Sequence, residues 1–95
     1  MSESWEQALD AWLASHRVYP QEARRRGEEG NVIVRFTVEP SGQVVAVALV
    51  HSSGSPRLDA AAEALVRNAS LPPFEASMPR TPITTMVTIR YRLED

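Results

Sequence analysis

Hydrophobic positions along this chain switch between two periods, and each switch marks a new element. Trp5, Ala8, Leu9, Trp12 and Leu13 recur at i, i+3, i+4, i+7 and i+8, the stripe of an amphipathic helix. Ser4 with Gln7 has capping-box spacing at its start. The helix should stop around His16, because Pro20 biases Tyr19 away from helical angles. Pro20 suits the first turn of a second short helix carrying Ala23, with Gly27 as its left-handed cap.

From Gly30 the period becomes two. Val32, Val34, Phe36 and Val38 face one way, and Ile33, Arg35, Thr37 and Glu39 the other. One buried and one mostly wet face is the pattern of an antiparallel sheet covered on a single side. Pro40-Ser41-Gly42-Gln43 supplies hairpin chemistry. The returning strand, Val44 to Val50, is apolar at nearly every position, so its register is open and a bulge is expected.

Ser55 and Pro56 have the chemistry of an N-cap and a first helical residue. Leu58, Ala61, Ala62, Leu65, Val66 and Ala69 then form the apolar stripe of the main helix. Residues 70–82 hold Pro72, Pro73, Pro79 and Pro82 and cannot be regular structure. Within them Leu71-Pro72-Pro73-Phe74 is expected to fold back over the core, with Phe74 as its plug. The longest alternation comes last. Ile83, Thr85, Val87, Ile89, Tyr91 and Leu93 share one face of a strand, and Thr84, Met86, Thr88, Arg90 and Arg92 the other.

These pieces predict an α+β fold, a three-stranded antiparallel sheet with helices packed on one face. The hairpin makes the first two strands neighbours. The main helix returns the chain so that the last strand runs parallel to the second. In an all-antiparallel sheet those two cannot be adjacent, so the order is second, first, last, and the last strand is an edge. Residues 1–95 read as one domain, with the amphipathic helix over 1–16 and the core over 19–95.

Composition narrows the function. A net charge of -2 argues against nucleic acid. Without cysteine there is no disulfide or thiol chemistry. No segment has the roughly 18 continuous apolar residues of a membrane span. The basic residues are all arginine, and the Arg24-Arg25-Arg26 run reads as a solvated helix end whose cations suit the macrodipole. Glu28-Glu29 reads as a solvated turn, and Gly27-x-x-Gly30 has too few glycines for a phosphate loop. His51, Ser52 and Asp59 lack an oxyanion loop and a second base. The expectation is a protein without catalysis, cofactor or metal. What remains is the edge strand. No proline or charge interrupts it from Ile83 to Ile89, so Thr84 to Thr88 are expected to be open to another strand.

Taken in order, Tyr19-Pro20, Ala23, Gly27, Gly30, the Val/Phe-alternating strand, Gly42-x-Val44, Ser52-Ser53-Gly54, Leu58-Asp59-Ala60-Ala61, the Pro-Pro-Phe segment and the final strand resemble the TonB C-terminal domain. The resemblance covers most of the chain from Arg17 onward. It implies a periplasmic domain tethered by an inner-membrane helix and a Pro-rich linker, both outside this chain. Such a domain draws energy from an ExbB–ExbD-type motor and binds the TonB box of an outer-membrane TonB-dependent transporter, as in siderophore or haem uptake.

Carried onto these residues, the resemblance implies partner contacts at Thr84, Thr85, Met86, Val87, Thr88, Ile89, Arg90, Tyr91 and Arg92, and at His16, Arg17, Val18, Tyr19 and Pro20. The segment before Tyr19 departs from the Gln-rich one of the best-known members, which suits a dedicated paralogue such as HasB serving one transporter. Two further expectations stay open beside it. One is an envelope interaction module like the C-terminal domain of TolA, without transporter coupling. The other is a weak homodimer, rather than a monomer, built across the open edge.

Overall fold

The structure, a computed structural model, describes residues 3–93. The elements run α1 (Glu3–His16), α2 (Gln21–Arg25), β1 (Gly30–Val38), β2 (Val44–His51), α3 (Pro56–Arg67) and β3 (Ile83–Tyr91). The sheet order is β2-β1-β3, and both pairings are antiparallel. The predicted α+β sheet with its last strand at an edge is therefore the observed one.

The alternation in β1 translates directly into burial. Val32, Val34, Phe36 and Val38 are buried under the helices, while Arg35 on the opposite face is exposed. Leu58, Ala62 and Val66 of α3 and Trp5, Leu9 and Leu13 of α1 complete the core from one side. Each large apolar side chain so buried contributes about 1.5–3 kcal/mol relative to exposure. Both tryptophans of α1 serve this core, Trp5 fully buried and Trp12 packed at its margin.

The Pro-rich segment is fixed by backbone bonds rather than by regular structure. Leu71 N–H donates to Gly42 C=O (3.1 Å) and Phe74 N–H to Pro40 C=O (2.8 Å). These bonds hold Leu71 and Phe74 in the core. Gly42 sits at φ +93, and a Cβ there would lie 2.1 Å from the Leu71 carbonyl oxygen, so only glycine fits.

Ser55 caps α3, its hydroxyl accepting from Leu58 N–H (3.3 Å), with Pro56 in the first turn. Gly27 closes α2 with φ +69. Two local expectations change. Ser4 is already helical, because α1 includes Glu3, and its hydroxyl donates to the Glu75 carboxylate instead of capping. Pro20 stands one position earlier than expected, as the N-cap of α2 with ψ 135, where its carbonyl accepts from Arg24 N–H.

Candidate functional site

A three-stranded sheet has two edges, and they differ. Against β1, β2 slips twice: Ile33 pairs with His51 and Val34 with Leu49, then Thr37 with Ala46 and Val38 with Val44. Val50 and Val45 are thus single-residue bulges, which break the ladder and twist an edge away from further pairing. The start of β2 is also met by a bridge from Gln43 to Ser70. In contrast, β3 pairs with β1 over nine consecutive positions, Gly30 with Tyr91 through Val38 with Ile83, without a shift. An unbroken ladder on one side leaves an equally regular row of backbone groups on the other.

Two side-chain contacts tell which residues own that row. Arg17 donates to the carbonyl of Arg90, so the Arg90 backbone points away from β1. The Thr37 and Thr84 hydroxyls meet at 2.7 Å, the close approach typical of a non-hydrogen-bonded antiparallel pair. Strand periodicity then assigns the edge-directed N–H and C=O groups to Thr84, Met86, Thr88 and Arg90. Thr85, Val87, Ile89 and Tyr91 turn their backbone groups to β1 and their side chains to the core, where Ile89 and Tyr91 are buried. Arg92 follows the end of the strand.

The edge lies in a groove of about 510 Å³. One wall is Met86 to Arg90, and the other is Asp10, Leu13, Ala14 and Arg17. Asp10 and Ala14 were not singled out in the sequence, and Leu13 only as a core position, although Asp10, Leu13, Ala14 and Arg17 stand at i, i+3, i+4 and i+7. Their stripe overlaps the core stripe at Leu13, and nothing in one sequence says which sheet edge a helix will flank. Met86 is the most exposed large apolar residue of the groove, at 58%.

The segment before α2 is arranged against the end of β3. Tyr19 meets Tyr91 edge to face with centroids 5.3 Å apart, and its hydroxyl donates to Glu28 C=O. Arg24 lies over the Tyr19 ring at 4.9 Å and Arg17 over the Tyr91 ring at 5.8 Å. Burial pushes both phenols above their usual pKa, with Glu29 adding to the effect at Tyr19, so both stay neutral. His16 is drawn to its own helix, stacked on Trp12 at 3.9 Å with Nδ1 near the Trp12 carbonyl, and does not line the groove. Val18 is 71% exposed. The other two arginines of the run, Arg25 and Arg26, pair with Glu22.

The His51, Ser52, Asp59 neighbourhood is an anchor for α3. The Ser52 hydroxyl and the Ser53 N–H and hydroxyl all donate to the Asp59 carboxylate. Burial works to raise the Asp59 pKa, but these bonds and the nearby His51 outweigh it and hold the carboxyl below its usual range. Among the described residues no group of three His, Cys, Asp or Glu could hold a metal ion. No described helix is long and apolar enough to cross a membrane.

Comparison with known proteins agrees with this architecture. The chain is 39% identical over 70 residues to Protein TonB of Pseudomonas putida, a match covering 74% of the chain and 29% of that protein. It spans less than a third of the length of that curated relative. Among solved structures it resembles the C-terminal domain of Helicobacter pylori TonB, with TM-score 0.82 and 27% identity, covering 100% of this chain and 86% of that one. It also resembles the C-terminal domain of HasB, with TM-score 0.63 and 31% identity, covering 100% and 74%. A likeness to TolAIII bound to a peptide from TolB, with TM-score 0.72 and 21% identity over 100% of this chain and 77% of that one, shows the fold alone. The family model described as Gram-negative bacterial TonB protein C-terminal matches residues 15–93, so the chain belongs to the TonB C-terminal family.

Proposed function

We propose that the chain is the transporter-contacting end of a periplasmic energy transducer. It captures the TonB box of an outer-membrane TonB-dependent transporter by adding that segment as a fourth strand beside β3. The observation that carries this reading is the unbroken β3 edge, open at Thr84, Met86 and Thr88 and walled by α1. An extended peptide in the groove finds backbone donors and acceptors in register, and side-chain contacts on alternate positions.

The energetics suit a contact that is made and released. Three edge-directed residues offer up to about six backbone bonds, each worth roughly 0.5–1.5 kcal/mol net. Ordering an extended peptide offsets much of that sum, which leaves about micromolar affinity or weaker. Bonds loaded together along a strand also resist force jointly. This suits a chain end that transmits a pull from an inner-membrane, proton-driven ExbB–ExbD-type motor, to which an anchored N-terminal region would connect it. The chemistry asked of the domain is mechanical, with no catalytic step.

The test is a titration of a TonB-box peptide into isotopically labelled protein. Amide shifts should run along the open part of the β3 edge, from Thr84 to Thr88. Shifts confined to other surfaces, or none at millimolar peptide, would remove the strand-addition reading.

A further inference from the structure

Four outward-facing residues make up the β3 edge, but one of them is already engaged. The Arg17 guanidinium donates to the Arg90 carbonyl while lying against the face of Tyr91. A neighbouring strand would sit roughly 4.7–4.9 Å from β3 in the direction of that carbonyl. The guanidinium occupies that lane. We propose that Arg17 is a clasp on the β3 edge, which limits strand addition to Thr84–Thr88 until an incoming backbone takes the Arg90 carbonyl from it. The inference rests on the strand-addition reading and adds the residue that sets the length and register of the pairing.

The surrounding residues show why Arg17 can act this way. It lies just beyond the end of α1, so its position follows the docking of that helix through Leu9 and Leu13. On the other side, Tyr19 fixes the chain through its edge-to-face contact with Tyr91 and its bond to Glu28 C=O. Arg17 is therefore strung between two anchors directly over the end of the strand. Its bond is nevertheless solvent-exposed, so a competing backbone N–H can replace it. Met86 and Thr88 have no comparable side chain laid over their carbonyls among the described bonds. The edge is thus open in its middle and latched at one end, and a partner enters at Thr84–Thr88 before it contests Arg90.

Charge alone does not give this effect. Arg90 is also a cation at this end of β3, but a strand's own side chains stand on the faces of the sheet and leave its lateral lane free, and Arg92 comes after the strand's end. The role belongs to Arg17 because it approaches from across the groove.

The clasp is tested on the 95-residue chain with one TonB-box peptide as probe. Without peptide, Arg17→Ala should move the Arg90 carbonyl ¹³C and Tyr91 ring signals and leave the amides of Thr84 to Thr88 in place. With peptide, Arg17→Ala should bind about three- to ten-fold tighter, the worth of one competing hydrogen bond. Its amide shifts should continue through Arg90 to Arg92, where those of the parent chain fade after Thr88. Arg17→Lys keeps the charge without the planar fork and should fall between the two. If the parent chain binds at β3 but Arg17→Ala binds no tighter and with the same footprint, the clasp is wrong and strand addition stands. If neither protein shows shifts along β3, strand addition is wrong and the clasp falls with it.

Discussion

Trp5 and Phe74 meet edge to face with ring centroids 5.5 Å apart, and the Trp5 indole N–H donates to Pro72 C=O at 2.8 Å. One side chain from the start of α1 thereby locks the Pro-rich segment and holds α1 against the core. Trp5→Ala should cost about 3–5 kcal/mol, a large share of the stability of a domain this size. Denaturant unfolding would measure the loss. Because α1 is also one wall of the groove, peptide affinity should fall in the variant even at temperatures where it stays folded.

The alternation of edge-directed groups separates two neighbouring positions. Val87 turns its N–H to β1, so Val87→Pro removes a bond of the central ladder and should destabilise the fold by about 3 kcal/mol or more. Met86 turns its N–H to the groove. Met86→Pro should leave more of the stability intact while abolishing the central bond of an added strand. Thermal melts and peptide titrations on the pair of variants check this, and equal melting temperatures for the two would overturn the assignment of edge-directed residues.

Gly42 joins the hairpin to the Pro-rich segment at a contact with no room for a side chain. Gly42→Ala combines a left-handed backbone with a collision against the Leu71 carbonyl, and should cost about 2–4 kcal/mol. The bond from Leu71 N–H to Gly42 C=O should open with it. Faster hydrogen exchange at Leu71 and Phe74, before any change in β3, is the expected signature.

Asp59 gives the fold an acid limit. Its folded pKa lies below the usual value near 3.9, so on acidification the unfolded chain takes up the proton first. The stabilisation is whole above roughly pH 5 and is lost as pH falls through the folded pKa. Asp59→Asn should lower stability near neutral pH and flatten its decline below about pH 5. Parallel pH-dependent melts of the two proteins would show whether the curves converge in acid, as this requires.

Much of the molecule follows from local rules that any stretch of sequence carries. Period-two alternation placed β1 and β3, helical stripes placed α1 and α3, and Ser55-Pro56 started α3 where capping chemistry puts it. Chain direction and the antiparallel requirement then left one sheet order, β2-β1-β3. The sequence by itself therefore determined the elements, the buried faces and the strand that ends up at an edge. Where helix starts depended on competing partners, it misled: Ser4 found Glu75, far along the chain, in place of its own helix end.

The character of the edge was decided only in three dimensions. The two bulges that close β2 to pairing arise from its register against β1, which an all-apolar strand does not encode locally. The groove exists because α1 docks beside β3, bringing Asp10, Leu13 and Ala14 to a strand that comes at the other end of the chain. The latch of Arg17 on Arg90 likewise joins a side chain to a backbone carbonyl that sequence spacing cannot connect. Alternation says which way a side chain points, whereas which backbone groups stay free depends on every neighbour the fold brings to that edge.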